Sequence, residues 1–155
     1  MRISPWMIGA ALTLVGGCFQ DSTPQRSSLL PLNYPNDPKD GNFTTVRNCR
    51  MATGHQNAYQ QVLASPLASD PYTAAAYPLP AGSVIVAEQH SDSSCGSLNG
   101  YLLMAKEKPG YDSTAGDWHW QKLDVNGRIE QDGKLQTCSS CHAKCAASDY
   151  LCSPP

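Results

Sequence analysis

The chain has 155 residues, of which 41% are hydrophobic, with seven cysteines and a formal net charge of -2. That length and apolar content suit one domain with its own core and argue against a disordered or fibrous chain. A charge near zero with no basic stripe gives no sign of nucleic acid as a partner, since Lys106 and Lys108 are too few to make a patch.

At the N-terminus, Arg2 precedes the uncharged run 3–17, which is too short to cross a bilayer as a helix and has the layout of a signal peptide. Residues 1–17 are therefore expected to be removed on export. The run closes in Leu14-Val15-Gly16-Gly17-Cys18, which resembles the lipobox of bacterial lipoproteins and implies a lipid on Cys18. The alternative is an ordinary signal peptide cut nearby that leaves Cys18 free. Export suits a cysteine-rich chain, because the bacterial periplasm is oxidising. The expected location is thus the periplasm or cell envelope, with an outer-membrane lipoprotein held to the membrane through its N-terminal lipid.

Residues 18–42 are rich in Ser, Pro, Asn, Asp and Gln, with Pro24, Pro31, Pro35 and Pro38 breaking any regular pattern, and read as a tether. Leu29, Leu30 and Leu32 are its apolar cluster, suited to docking on the edge of the domain. The domain itself occupies 43–155. Its first expected element is a weak amphipathic helix over 55–64, carrying Ala58, Val62 and Leu63 and ended by Ser65-Pro66. A second short helix is expected over 70–77 with Pro71 in its first turn, and 78–82 is a turn. The period then changes to two. Residues 83–89 form a strand with Ile85 and Ala87 on one face and Val84, Val86 and Glu88 on the other. Further strands are expected over 100–106 and 117–123, and Asn126-Gly127 turns the chain into a fourth over 128–131. The class is α+β: an antiparallel sheet with short helices packed on it and a helix near the C-terminus.

That last helix carries Cys138-Ser139-Ser140-Cys141-His142. C-x-x-C-H is the attachment signature of a c-type haem. The two thiols add across the haem vinyl groups as thioethers, and the adjacent imidazole becomes the proximal iron ligand. A zinc half-site is the poorer reading, since a second pair at matching spacing is missing and Cys145 lies too close to His142 to supply it. A thioredoxin-like pair would follow an N-terminal strand, whereas only residues 143–155 follow this one. A haem-free domain stapled by disulfides is the remaining alternative.

Small all-helical c-type cytochromes carry this motif near the N-terminus with a distal Met downstream, and no Met follows His142 here. The order of blocks is instead Tyr77-Pro78, Gly82-Ser83-Val84-Ile85-Val86-Ala87-Glu88, Met104-Ala105-Lys106-Glu107, Gly116-Asp117-Trp118-His119-Trp120, the haem motif, and Asp149-Tyr150. In order and spacing this resembles the cytochrome P-460 family and its relative cytochrome c′-beta. The resemblance implies one covalent haem c per chain, five-coordinate, with His142 proximal and an open distal side that takes a small gaseous or nitrogen-oxide ligand such as nitric oxide. It also implies a redox partner protein, and c′-type relatives suggest a homodimer. In P-460 proteins proper a lysine on the G-x-V-x-V-K-E strand crosslinks to the haem and the enzyme oxidises hydroxylamine. Ala87 holds that position here, so neither the crosslink nor hydroxylamine oxidation is expected.

Ile85, Ala87, Trp118 and Trp120 are the expected haem wall. His55, His90 and His119 are candidate distal ligands, and one of them in the sixth position would make the protein a six-coordinate electron-transfer cytochrome. Met51 and Met104 are expected to pack, Lys106 to lie at the surface, and Asp149-Tyr150 to hold the haem helix. Setting aside Cys18, Cys138 and Cys141 leaves Cys49, Cys95, Cys145 and Cys152, which allow three pairings. The expected pairing is Cys145 with Cys152 and Cys49 with Cys95. On one straight helix the first two Cα atoms would stand about 10 Å apart, so the chain must break between them.

Overall fold

A run of alternating side chains builds the scaffold. In the computed structural model, which describes residues 42–155, six strands form one antiparallel meander in chain order. They are β1 (Thr44–Ala52), β2 (Ala58–Ala64), β3 (Val84–His90), β4 (Leu98–Lys106), β5 (Trp118–Asp124) and β6 (Ile129–Gly133). Two short helices accompany them, α1 (Pro66–Thr73) and α2 (Gln136–His142), the latter running into a 3-10 segment at Ala143–Ser148. The expected signal peptide, Cys18, the leucine cluster and the tether up to residue 41 lie outside the described residues.

The register aligns the front face of the sheet. Ala64 pairs with Ile85, Ile85 with Met104 and Met104 with Trp120, while Val62 pairs with Ala87 and Ala87 with Leu102. Side chains directly opposite across antiparallel strands share a face, so these residues form two apolar rows. Against them pack Ala68 and Tyr72 of α1 and Leu151 of the C-terminal segment. The back face carries a separate cluster, Val84, Val86, Tyr101, Leu103, Ala105 and Leu123.

Three expectations change. Residues 55–64 are a turn followed by β2, not a helix. Gln60, Val62 and Ala64 alternate into the core, and pairing with β1 on one side and β3 on the other outweighs the weak helical spacing of Ala58, Val62 and Leu63. The first helix is Pro66–Thr73 instead of 70–77. Ser65 is extended, donates its N–H to the Val84 carbonyl at 2.9 Å, and accepts the Val84 N–H on its hydroxyl at 3.0 Å. β2 therefore hands over directly to a helix that opens on Pro66, where a missing N–H costs nothing, and Pro71 falls inside it. β1, for which no element was expected, is fastened to the β3–β4 loop by the Cys49–Cys95 disulfide.

Candidate functional site

α2 presents Cys138, Cys141 and His142 at relative positions 0, 3 and 4, which places all three on one helical face. Cys138 and Cys141 are free thiols. With His142 they line a cavity of about 300 Å³ between α2 and the front of the sheet, whose apolar wall includes Val62, Ile85, Ala87, Leu102, Met104 and Trp120. Burial pushes the Cys138 thiol above its ordinary pKa, and the neighbouring Cys141 adds to that.

The His142 ring is fixed from behind. A carbonyl can only accept, so the 2.7 Å contact between His142 Nδ1 and the Tyr150 oxygen puts the ring proton on Nδ1. The lone pair is thereby left on Nε2, the arrangement a metal-bound imidazole needs. Burial lowers the pKa of this ring, the Tyr150 bond opposes that, and His55 lowers it further. Trp120 meets the ring edge-on at 4.8 Å between centroids.

The Tyr150 carbonyl is aimed by a sharp reversal. Asp149 and Tyr150 both take left-handed conformations, with φ of 54° and 64°. The Asp149 carboxylate accepts the Leu79 N–H at 2.8 Å and pairs with the Lys106 ammonium. Its carbonyl accepts the Trp118 indole N–H at 2.8 Å. The Tyr150 hydroxyl donates to the Thr114 carbonyl, and its ring lies against Gly116, where an added Cβ would come within 2.7 Å of it. The Cys145–Cys152 disulfide closes the same reversal at a Cα separation of 5.3 Å. The helix does break between them, at Cys145 with φ of -110° and again at Asp149.

Several placements differ from expectation. Lys106 is not a surface lysine: its side chain is 9% exposed, paired with Asp149 at 6%, and lies 4.8 Å from the Trp118 ring centre. Trp118 does not line the cavity. It is fully buried beneath Lys106 with its N–H committed to Asp149, while Trp120, two residues along the same face, stands at the cavity wall. His90 and His119 lie on the back face, His90 3.8 Å from Glu88, and His119 between Glu107 at 3.4 Å and Asp132 at 2.6 Å. His55 does line the cavity, with its ring 6.0 Å from that of His142.

Gln60 and Tyr72 are among the cavity residues that escaped the sequence reading. Gln60 is 1% exposed and contacts His55 Nδ1 at 2.6 Å. Tyr72 is fully buried and donates its hydroxyl to the Ser153 carbonyl; burial, reinforced by Tyr77, raises its pKa to about 12. Gln60 is turned inward by the pairing of β2, not by any apolar–polar alternation in Ala58–Ala64. Nothing local marks Tyr72, whose partner lies at the far end of the chain.

The residues fit a covalently held haem. Two free thiols at haem spacing and an imidazole with Nε2 available share one apolar cavity. Trp120, which lines the cavity, keeps its indole N–H buried with no protein acceptor. Among the described residues no group of three His, Cys, Asp or Glu side chains is set to hold a metal ion. A family model described as Cytochrome P460 matches residues 38–153. No curated protein matches the chain.

Proposed function

Since this chain belongs to the cytochrome P460 family, we propose that it is an exported c-type haem protein. In this reading it would bind nitric oxide or act in nitrogen-oxide redox chemistry at the haem that the cavity would hold. The observation that carries the reading is the shared helical face of Cys138, Cys141 and His142, with His142 Nδ1 already committed to Tyr150. Cys138 and Cys141 would hold the group through thioethers, and His142 Nε2 would bind its iron, which supplies the ligand binding and electron exchange. The Tyr150 carbonyl orients the imidazole and raises its basicity. Val62, Ile85, Ala87 and Leu102 give the cavity an apolar wall. The methyl group of Ala87 has no atom with which to form a lysine-type crosslink, so hydroxylamine turnover should be slow or absent. Cleavage of 1–17 and a lipid on Cys18 would place the domain at the periplasmic side of the outer membrane, with a redox protein as partner.

The test is intact mass and a pyridine haemochrome spectrum on protein matured in a host with haem c assembly. One haem per chain is expected. Cys138→Ala or Cys141→Ala should leave a single thioether, and the double variant should release its haem into acid solvent. Wild-type protein at the apoprotein mass would sink the reading. A second reading, electron transfer by a six-coordinate haem, is favoured by one observation, the placement of His55.

A further inference from the structure

We infer that Lys106 is a positioning residue for His142: through its buried ion pair with Asp149 it holds the Tyr150 carbonyl against the imidazole N–H, and thereby sets how strongly Nε2 donates to iron. This rests on the haem reading above and adds to it a residue that lines no part of the cavity.

The reversal that carries the Tyr150 carbonyl does not hold itself. Asp149 and Tyr150 are consecutive non-glycine residues in the left-handed region, which L residues keep only where their surroundings hold them there. Local bonds close the turn: the Asp149 N–H donates to the Ala146 carbonyl at 3.1 Å and the Tyr150 N–H to the Cys145 carbonyl at 2.9 Å. Neither reaches the sheet. Three contacts to Asp149 do so. The Leu79 N–H donates to one carboxylate oxygen at 2.8 Å, the Lys106 ammonium pairs with the other, and the Trp118 indole N–H donates to the main-chain carbonyl at 2.8 Å.

Lys106 governs two of these three. Its ammonium fixes the carboxylate directly and also lies 4.8 Å from the centre of the Trp118 ring, a favourable seat for a cation on an aromatic face. The same charge therefore steadies the ring whose N–H holds the Asp149 carbonyl. Lys106 is itself anchored at the end of β4, where its N–H donates to the Ser83 carbonyl at 2.8 Å and its carbonyl accepts the Gly82 N–H at 2.7 Å. Without the ammonium, a carboxylate only 6% exposed must turn toward water or take up a proton, and either loosens its hold on the reversal.

The effect reaches His142 through one further peptide. The Tyr150 carbonyl accepts the His142 Nδ1–H at 2.7 Å. A strong bond there moves electron density to Nε2, and a longer one withdraws it.

The experiment uses the matured full chain. Lys106→Met with Asp149→Asn replaces the pair at unchanged net charge, so a change in potential does not come from a charge lost near the iron. In the diamagnetic ferrous carbon monoxide complex, the His142 Nδ1 proton of this variant should resonate upfield of its wild-type position and exchange faster with water. The midpoint potential should rise, because weaker donation favours ferrous iron. A tenfold change in that preference, about the low end for a lost partner of a metal-bound histidine, reads as about 59 mV for one electron. Lys106→Met alone should displace the proton in the same direction. Cys49→Ala with Cys95→Ala removes a stabilising link away from the reversal and should leave the proton and the potential at their wild-type values. An Nδ1 proton unmoved in both Lys106 variants, or moved equally by loss of that disulfide, overturns the assignment. The haemochrome spectrum of the same samples separates the failures: covalent haem with an unmoved proton rejects the role of Lys106 alone, whereas absence of covalent haem rejects the haem reading and this assignment together.

Discussion

Replacing Asp149 by Asn should be among the most damaging conservative changes available to this domain. The Asp149 side chain is 6% exposed and its partner, the Lys106 ammonium, 9%. Asn keeps the shape, tolerates the left-handed φ of 54°, and can still accept the Leu79 N–H. What it removes is the charge, leaving the ammonium buried without a counter-ion at a cost of about 3–5 kcal/mol. For a domain of this size that lowers Tm by about 10–20 °C. Asp149→Ala should be worse, since it also loses the Leu79 hydrogen bond, about 1–3 kcal/mol, and puts Ala in a left-handed conformation, about 1–2 kcal/mol. Lys106→Met strands the carboxylate in the same way. The double variant Lys106→Met with Asp149→Asn should recover much of the loss, because no uncompensated charge remains. Urea denaturation of the four proteins in a double-mutant cycle measures this coupling. The reasoning is refuted if Asp149→Asn costs under about 1 kcal/mol, the range of an exposed pair, or if the two single losses simply add.

Loop length ranks the two disulfides: Cys49–Cys95, with a sequence separation of 46, should contribute about 4 kcal/mol, and Cys145–Cys152, with a separation of 7, about 2 kcal/mol, as read from denaturation midpoints of the paired Cys→Ala variants. Ala87→Lys should yield a red-shifted, crosslinked haem spectrum, since Ala87 stands at the cavity wall; an ordinary haem c spectrum in that variant would count against the strand alignment with P-460 proteins. Tyr72 is held protonated to about 12 against 10.0 in the free side chain. Between those values the unfolded chain gives up the proton and the folded chain keeps it, so stability falls as pH rises from 10 to 12, by about 2 kcal/mol, and Tyr72→Phe should flatten that limb of the pH–stability curve.

Those parts of the protein written in local chemistry were legible from the sequence. Cys138, Cys141 and His142 are adjacent in the chain, and a helix carries them to one face whatever it packs against, so the candidate cofactor needed no fold. The strands around Ile85, Met104 and Trp120 were equally plain, because a period of two over five or more residues has one structural meaning. The family blocks, quoted in order from Tyr77 to Tyr150, fall within the stretch that the Cytochrome P460 model matches. Tertiary structure decided the rest. β2 reads locally as a weak helix, and only its pairing between β1 and β3 makes it a strand. Trp118 and Trp120 share a face, yet the burial of Lys106 beside Asp149, 43 residues away in sequence, gives Trp118 to the core and leaves Trp120 to the cavity. Three histidines were equivalent as letters. The antiparallel register sent His90 and His119 to the back of the sheet and the β1–β2 turn carried His55 to the mouth of the cavity, because which face a residue meets depends on strand pairing across the chain, a non-local quantity that no window of sequence contains.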